Sequence, residues 1–322
     1  MRILLTGVAG FIGSHLAARL QSRGDSIYGI DNFDETLYPK ALHQRNLQTL
    51  DGLAGIESAP IDFLDGEAIE QLFSTRRFDI VVHLGALAGV RPSIQQPMRY
   101  ARVNIEGTLV LLEACRRHRI GRFVFASSSS VYGAHCRVPF AESDPAARPA
   151  SPYAASKRAG ELVVSNFSDL YGIACTSLRF FTVYGPRQRP EMAIHKFADL
   201  ILAKQPLPFF GDGSSARDYT YVTDIIDGVT AAIDHTVDKR YRVYNLGGHQ
   251  TTTLSRLVAL LEANLPYRAI LNSQPDQPGD VPITYADVTQ ATADLGYAPK
   301  VPIETGIKLF CQWLLRERGL NI

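Results

Sequence analysis

The first thirteen residues decide the fold, and they run Met1-Arg2-Ile3-Leu4-Leu5-Thr6-Gly7-Val8-Ala9-Gly10-Phe11-Ile12-Gly13. The apolar stretch over residues 2–6 predicts a buried strand, and the three glycines that follow allow a tight turn into a helix. Such a turn lets backbone amides approach a pyrophosphate, which the N-terminus of the helix also favours. We predict a dinucleotide site here; a cluster of turn glycines without a ligand is the alternative.

Two aspartates follow the next predicted strands. Asp31 ends the second strand, where a carboxylate accepts hydrogen bonds from the adenosine ribose hydroxyls. Because an acidic group there repels a 2′-phosphate, we predict NAD rather than NADP as the cofactor. Asp62 follows the third strand, where it either contacts the adenine amino group or caps a helix.

Strand-like and helix-like patterns alternate through the first half of the chain. Strands are predicted over residues 2–6, 26–31, 55–61, 80–84 and 123–127, and helices over 13–23, 66–75 and 105–118. In the last of these helices, Leu109, Leu112 and Ala114 fall near one stripe that is expected to face the core. Strands joined by helices at this spacing predict an α/β fold, a doubly wound parallel sheet of the Rossmann type.

Glycine and proline clusters make the second half less regular, with loops predicted around 185–186, 206–208, 211–213 and 277–280. A strand over 241–246 and helices over 223–234, 254–263 and 302–316 lie between them. We predict an NAD-binding Rossmann domain over residues 1–175, to which 218–247 returns. A smaller α/β lobe over 176–217 and 248–322 is predicted to bind the substrate.

Composition limits the class of protein. The chain has 322 residues, 46% hydrophobic and 20% charged, which is ordinary for a globular protein. Its net charge of +1 gives no basic field, so we expect neither nucleic acid nor a membrane as partner. Cys115, Cys136, Cys175 and Cys311 lack the spacing of a zinc site or a disulfide framework, so no metal is predicted. Reduced thiols and the absence of a long apolar run favour the cytoplasm.

A tyrosine and a lysine suggest acid–base chemistry. The segment Ser151-Pro152-Tyr153-Ala154-Ala155-Ser156-Lys157 has a capping serine and a proline suited to a first helical turn, and it places Tyr153 and Lys157 four residues apart on one face. A nearby ammonium lowers the pKa of a phenol, which makes it a usable base. The serines of residues 127–130 end a predicted buried strand at the edge where open α/β sheets bind ligands, although a serine-rich loop is the alternative.

In its motifs, the chain resembles the extended short-chain dehydrogenases/reductases, and within them the nucleotide-sugar 4-epimerases. The carrying residues span the whole chain: the glycine turn, Asp31, Asp62-Phe63, His83-Leu84-Gly85-Ala86, Asn104, the serine-rich strand end, Tyr153, Lys157, Arg179-Phe180-Phe181-Thr182-Val183-Tyr184-Gly185-Pro186 and Arg217-Asp218-Tyr219.

This resemblance implies a catalytic mechanism. Tyr153 would be the base, Lys157 would hold the nicotinamide ribose, and Ser128, found by counting back from Val131-Tyr132-Gly133, would bond the reacting hydroxyl. A 4-keto sugar forms transiently, turns over and is reduced on its other face, so NAD is regenerated. The implied NAD contacts are Gly7, Ala9, Gly10, Phe11, Ile12, Gly13, Asp31, Asn32, Asp62, Phe63, Leu84, Ala86, Asn104, Tyr153, Lys157 and Phe181.

Residues after the catalytic serine indicate which sugar is bound. The related 4,6-dehydratases resemble Asp-Glu there, and UDP-glucuronate decarboxylases carry Glu before the Val-Tyr-Gly, whereas this chain has Ser129 and Ser130. Residues 83–93, HLGALAGVRPS, and 179–193, RFFTVYGPRQRPEMA, are similar to HLAAQAGVRYS and RFFTVYGPWGRPDMA of the UDP-glucuronate 4-epimerases. UDP-galactose 4-epimerases typically have Asn in place of Thr182.

An acidic UDP-sugar is therefore expected. Ser129, Ser130 and Thr182 are predicted to hold its carboxylate and to keep the 4-keto intermediate from losing CO₂. Arg91 and Arg189 either contact this substrate or are surface charges. The resemblance also places Arg217 on the diphosphate, and Gln277 and Asp280 near the ribose, with Gln277 standing where many relatives have Arg.

The predicted function is therefore a UDP-glucuronate 4-epimerase that keeps NAD bound. The alternatives are a 4-epimerase of neutral sugars such as UDP-glucose, a UDP-glucuronate decarboxylase, and a non-catalytic NAD-binding regulator, which usually lacks the Tyr–Lys pair. The family also implies a homodimer through the helices at 105–118 and 153–170.

Overall fold

The structure is a computed structural model that describes residues 1–134, 137–238, 240–275 and 281–320. Cys136, Gln277 and Asp280 lie outside the described residues.

In chain order the strands are β1 (Arg2–Thr6), β2 (Ser26–Ile30), β3 (Ile56–Ala59), β4 (Ile80–His83), β5 (Arg122–Ser128), β6 (Ala174–Phe180), β7 (Thr182–Tyr184), β8 (Pro206–Phe210), β9 (Ala216–Arg217), β10 (Tyr219–Tyr221), β11 (Tyr241–Leu246), β12 (Thr252–Thr253) and β13 (Ile270–Gln274). The α-helices are α1 (Phe11–Ser22), α2 (Lys40–Gln48), α3 (Gly66–Thr75), α4 (Val90–Gln95), α5 (Pro97–Ala101), α6 (Gly107–His118), α7 (Pro152–Tyr171), α8 (Ala193–Leu202), α9 (Val222–His235), α10 (Leu254–Asn264), α11 (Thr289–Leu295) and α12 (Ile303–Glu317). One π-helical turn, Arg102–Glu106, precedes α6, and a 3₁₀ turn, Ser129–Tyr132, follows β5.

Seven parallel strands form the central sheet in the order β11-β6-β5-β4-β1-β2-β3. The chain starts at β1, builds outward to β3, and then returns to β4 on the other side of β1. This reversal between β1 and β4 opens a crevice at the carboxyl ends of the strands, where doubly wound folds bind their ligands. The predicted α/β doubly wound sheet is confirmed.

Alternate residues of the strands face opposite sides of the sheet and build two cores. Ile3 and Leu5 of β1 pack in the core that α1 and α9 cover, whereas Leu4 packs in the core beneath α3, α6 and α7. Strands covered on both faces have little polar surface, which explains their short, almost continuous apolar runs.

A smaller lobe contains three two-stranded sheets: β7 with β10, β9 with β12, and β8 with β13. Helices α8, α10 and α12 pack against one another beside them. Strand β11 returns to the central sheet, as the domain prediction requires. The first segment of the sheet domain extends to Phe180 rather than ending at residue 175, because β6 pairs with β5 along its whole length.

Candidate active site

One cleft crosses the carboxyl edge of the sheet and has a volume of about 510 Å³, within the usual range for ligand sites. The glycine turn after β1 and the ends of β4 and β5 line it on the sheet side. The loop after β7 and residues of the smaller lobe line its other side. The same cleft therefore brings together the predicted cofactor site and the predicted catalytic residues.

The glycine turn is shaped for close approach of the backbone. Gly7 has a φ of 73° and its amide donates to the carbonyl of Ile30 at 2.8 Å. A Cβ on Gly13 would lie 2.0 Å from the carbonyl oxygen of Gly7, so a side chain there cannot fit without moving the backbone. Helix α1 begins directly after Gly10 with no side-chain cap, which leaves its first amides directed at the cleft. This cradle fits a dinucleotide pyrophosphate.

Asp31 lies beside that turn, as predicted. It is buried, and its carboxylate accepts hydrogen bonds from the amides of Ala9 at 3.1 Å and Phe33 at 2.9 Å. Burial raises the pKa of Asp31, while these two amides and the ring of His43, 3.7 Å from Oδ1, oppose that rise. Asp31 therefore lines the cleft next to the glycine turn, at the end that is expected to hold the adenosine.

Two further residues at that end were not predicted. Tyr38 and His43 both line the cleft, with their rings stacked at a centroid distance of 4.3 Å. They come from the segment that leads into and forms α2, a helix whose sequence has only a weak apolar stripe. No local signal marks them, because their proximity to Asp31 arises from tertiary packing.

Asn32 and Phe63 line the cleft, and Asp62 lies next to them. Asp62 accepts hydrogen bonds from the side chain of Asn32 at 3.0 Å and from the amide of Leu64 at 2.9 Å. The cap of helix α3 is Asp65, so the suggestion that Asp62 caps this helix is wrong. Its contact with adenine stays a prediction.

The loop after β4 forms the middle of the cleft. Leu84 and Ala86 line it, as does Phe181 at the far wall. Asn104 lies behind this loop in the π-helical turn, where its side chain bonds both the amide and the carbonyl of Leu87 at 2.9 Å and the hydroxyl of Ser156 at 2.9 Å. The structure thus shows Asn104 fixing the loop against α7, while a direct NAD contact stays a prediction.

Ser128, Tyr153 and Lys157 meet at the centre of the cleft. Strand β5 ends at Ser128, and α7 begins beside it, capped by the hydroxyl of Ser151. The side chain of Ser128 lies close enough to Tyr153 to act against the rise in its pKa. The ammonium of Lys157 donates to the carbonyl of Ala126 at 2.7 Å and lies over the ring of Phe125. The three residues have the arrangement that a base, its substrate-orienting serine and its lysine need.

Burial has the largest effect on the pKa values of Tyr153 and Lys157. It raises the pKa of Tyr153, against the hydrogen bond from Ser128 and the positive charge of Arg189. It also lowers the pKa of Lys157 to about 7, which the charge of Glu161 opposes. The lowered phenol pKa expected from the sequence is therefore not found, because desolvation outweighs the favourable charges around the ring.

Several hydroxyl side chains line the same cleft as Tyr153. Ser129 and Ser130 lie in the 3₁₀ turn after β5, and Thr182 starts β7 opposite them; all three line the cleft. The hydroxyl of Ser130 also bonds that of Ser128 at 2.9 Å. The predicted carboxylate-binding group is thus brought together next to the predicted base.

The arginines differ in position. Arg189 lines the cleft, pairs with Glu191 at 3.1 Å, and acts to lower the pKa of Tyr153, so it is a charge of the site. Arg217 also lines the cleft, and its guanidinium donates to the carbonyl of Ala216 at 3.0 Å. Arg91 lies outside the cleft lining, with its guanidinium 5.5 Å from the ring centroid of Phe210.

Behind the catalytic group lies an ionic cluster that the sequence did not suggest. Glu161 is fully buried and accepts two hydrogen bonds from Arg179, at 2.8 and 2.9 Å. It also accepts from Arg158 at 2.9 Å and from the hydroxyl of Ser127 at 2.6 Å. The one available signal was the position of Glu161, one helical turn after Lys157 on α7.

Across the ranges that the structure describes, there is no helix long and apolar enough to cross a membrane. Within the same residues, no group of three or more His, Cys, Asp or Glu side chains could hold a metal ion.

Comparison with known proteins agrees with this geometry. The model of the GDP-mannose 4,6-dehydratase family matches residues 4–310. UDP-glucuronate 4-epimerase 1 of Arabidopsis thaliana is 40% identical over 337 residues, covering 99% of this chain and 78% of the plant protein. UDP-glucuronic acid 4-epimerase from Bacillus cereus, solved with UDP-glucuronic acid and NAD, is 35% identical with a TM-score of 0.91, covering 98% of this chain and 100% of that one.

A UDP-glucose 4-epimerase from Thermotoga maritima, solved with UDP-glucose, is also similar, at 33% identity and a TM-score of 0.89 over 99% of this chain and 100% of that one. The chain therefore belongs to the GDP-mannose 4,6-dehydratase family of extended short-chain dehydrogenases/reductases, a family that its nucleotide-sugar 4-epimerase relatives share.

Proposed function

We propose that this protein is an NAD-dependent 4-epimerase that interconverts UDP-glucuronate and UDP-galacturonate. The observation that carries the proposal is a single cleft that hydroxyls and one arginine line together with Tyr153: Ser128, Ser129, Ser130, Thr182 and Arg189. Neither position 129 nor position 130 supplies the carboxyl group that elimination or decarboxylation in relatives uses. Two of the relatives described above, from Arabidopsis thaliana and Bacillus cereus, are UDP-glucuronate 4-epimerases, whereas the Thermotoga maritima relative is a UDP-glucose 4-epimerase.

The cofactor end of the cleft fits NAD. The glycine turn and the free amides of α1 would hold the pyrophosphate, and Asp31 would accept from the adenosine ribose hydroxyls. Tyr38 and His43 would wall the same end. NAD bound there supplies a hydride acceptor that later becomes the donor, so no redox partner is needed.

Tyr153 would move the proton of the C4 hydroxyl. Ser128 stands at the end of β5 and acts on Tyr153, so it would orient the sugar hydroxyl toward the phenol oxygen. Burial raises the pKa of Tyr153, and the ammonium of Lys157 would favour the phenolate against that rise. When the 4-keto group is reduced, Tyr153 returns the proton to the oxygen.

The acidic sugar poses a second problem, since a 4-keto hexuronate is a β-keto acid and tends to lose CO₂. Ser129, Ser130 and Thr182 would hold its carboxylate so that the bond to C5 stays out of line with the π system of the ketone. Arg189 adds a charge-assisted contact from the loop after β7. Arg217 would meet the diphosphate, while the ribose contacts of Gln277 and Asp280 stay predictions from the family pattern.

A substrate panel tests the proposal. Purified protein should convert UDP-glucuronate to UDP-galacturonate without added NAD, and it should act poorly on UDP-glucose and UDP-xylose. Thr182→Val and Arg189→Ala should lower kcat/KM for UDP-glucuronate roughly tenfold or more, as expected for lost charge-assisted hydrogen bonds worth about 1.5–3 kcal/mol. The traces of a decarboxylated pentose product should also rise.

The matched control is Arg256→Ala, which removes an exposed arginine paired with Glu304 in the smaller lobe and should leave both substrates unaffected. Equal turnover of UDP-glucose and UDP-glucuronate by the wild-type protein would favour the 4-epimerase of neutral sugars instead. Production of a pentose as the main product would favour the decarboxylase.

The assembly that we propose is a homodimer through α6 and α7. These helices pack against each other on one face of the sheet and expose Leu109, Leu162, Leu170 and Tyr171. The sequence pattern placed Leu109 in the core stripe, but the structure leaves it exposed, which a partner helix would cover. A cytoplasmic location belongs to the same proposal and is supported by the free, buried thiols of Cys115, Cys175 and Cys311.

A further inference from the structure

The buried ion cluster behind the catalytic group requires an explanation beyond stability. Glu161 has a fully buried side chain, and Arg179 is 3% exposed. Removing two such charges from water costs about as much as their attraction returns, so a buried ion pair is weak evidence for a stabilising role. An ion pair at this position therefore suggests a function that two apolar side chains could not perform.

The cluster lies one helical turn after Lys157 on α7. Glu161 follows Lys157 by four residues on α7, so both side chains project from the same face of the helix toward β5. There, adjacent residues hold them: Lys157 donates to the carbonyl of Ala126, and Glu161 accepts from the hydroxyl of Ser127. The next residue of the strand is Ser128, which lines the cleft with Tyr153.

The other groups facing Lys157 do not supply a negative charge. His83 of β4 is buried, and burial together with the ammonium of Lys157 lowers its pKa to about 3, so the ring is neutral. Phe125 of β5 presents its ring face, and Tyr153 of the same helix is a phenol whose pKa burial raises. Arg179 and Arg158 are further cations, and both are bonded to Glu161. Among the residues that act on Lys157, Glu161 is the one that favours its charged form.

We propose that Glu161 is a positioning residue that favours the ammonium form of Lys157 and, through Ser127, holds the end of β5 to which Lys157 is bonded. This inference rests on the proposed function, since the ammonium is the form that bonds ribose hydroxyls and favours the phenolate of Tyr153. Burial lowers the pKa of Lys157 to about 7 even with the charge of Glu161 in place, which is within the working range of most enzymes. The carboxylate opposes that shift and so extends the pH range over which the lysine stays protonated.

The test is the pH profile of Glu161→Gln, which keeps the shape of the side chain and removes its charge. Without that charge the pKa of Lys157 falls further, so the ammonium is lost at a lower pH as the pH rises. The alkaline limb of the kcat/KM profile should therefore move down by about one pH unit. NAD titrated into NAD-free protein should show the same displacement in the pH dependence of its affinity.

Arg158→Gln is the matched control because it removes a cation from the same cluster and leaves Glu161 paired with Arg179. Its alkaline limb should stay in place or move up. If Glu161 served packing alone, the alkaline limb would move in the same direction in both variants, and that result overturns the proposal. An unshifted alkaline limb in folded Glu161→Gln also overturns it.

If Glu161→Gln does not fold, the pH profiles of Glu161→Asp and Arg158→Gln test the proposal instead, since both variants retain a carboxylate at position 161. Alkaline limbs at or above the wild-type position support the proposal, and a downward shift in either variant overturns it. The NAD titration separates this inference from the substrate assignment, because NAD affinity does not depend on which sugar is turned over. A protein that binds NAD with the expected pH dependence but epimerises another sugar fails only the proposed function.

Discussion

At the scale of single residues, a substitution of Tyr153 can remove the hydroxyl of the proposed base while it leaves the packing of the ring in place. Its ring contacts Tyr100 edge-on, at a centroid distance of 6.3 Å, and the side chain of Ser128 acts against the rise in its pKa. In Tyr153→Phe the ring contact remains and only the hydroxyl is lost. We expect the variant to fold and to retain NAD while turnover of UDP-glucuronate falls by about 10²–10⁴-fold, the usual range for losing a general base.

The measurement pairs steady-state turnover with NAD released on denaturation. A Tyr153→Phe enzyme that keeps more than about a tenth of wild-type turnover contradicts the assignment of the base. A variant that loses NAD would show instead that the hydroxyl supports the cofactor site.

Residues set by local spacing could be predicted, and those set by tertiary contact could not. Tyr153 and Lys157 stand out by an i, i+4 pattern behind a Ser-Pro cap, and Ser128 by counting back from Val131-Tyr132-Gly133 in the family pattern. His43 reaches Asp31 only because α2 folds back over the glycine turn, which no short pattern encodes. The pKa of Tyr153 was predicted in the wrong direction because the sequence shows the nearby lysine but not the burial.

At the scale of elements, the β1–α1 connection depends on one glycine. A Cβ on Gly13 would lie 2.0 Å from the carbonyl oxygen of Gly7, and the atoms it meets are backbone. Gly13→Ala must therefore push α1 away from β1, which disturbs the amides that would hold the pyrophosphate. We expect loss of NAD binding and a lower free energy of unfolding, measured by calorimetric titration and by denaturant unfolding.

Gly66→Ala is the matched control, because Gly66 also lies in the first turn of a helix but faces open space. Alanine there should leave NAD affinity unchanged and raise the free energy of unfolding by about 0.5–1 kcal/mol. If Gly13→Ala behaves like this control, the close approach at the turn is not what holds the cofactor.

Strand β6 is an element that could not be predicted from the pattern of apolar residues. Every residue of Ala174–Phe180 is buried, yet Thr176, Ser177 and Arg179 interrupt its apolar run, so no apolar pattern predicts this strand. Arg179 is tolerated inside because Glu161 of α7 neutralises it across the gap between helix and sheet. The strands with unbroken apolar runs, such as β1 and β4, were predicted to within one residue.

At the scale of the whole molecule, the fold predicts how two copies would meet. The α6–α7 face shows Leu162 56% exposed and Leu170 64% exposed, while the opposite side of each helix packs on the sheet. Contiguous apolar surface of this kind is typical of an interface, and a face of two helices can pair with its own copy about a twofold axis.

Leu162→Arg tests this arrangement because it places a charge in the middle of the proposed four-helix contact. The charge would lose its hydration on association, so we expect the variant to run as a monomer in light scattering at concentrations where the wild type is a dimer. Leu271→Arg is the control: Leu271 is comparably exposed, at 51%, but lies on β13 of the smaller lobe, away from α6 and α7. A wild-type monomer would contradict the proposed dimer. A dimer that Leu271→Arg disrupts while Leu162→Arg does not would place the interface on the smaller lobe instead.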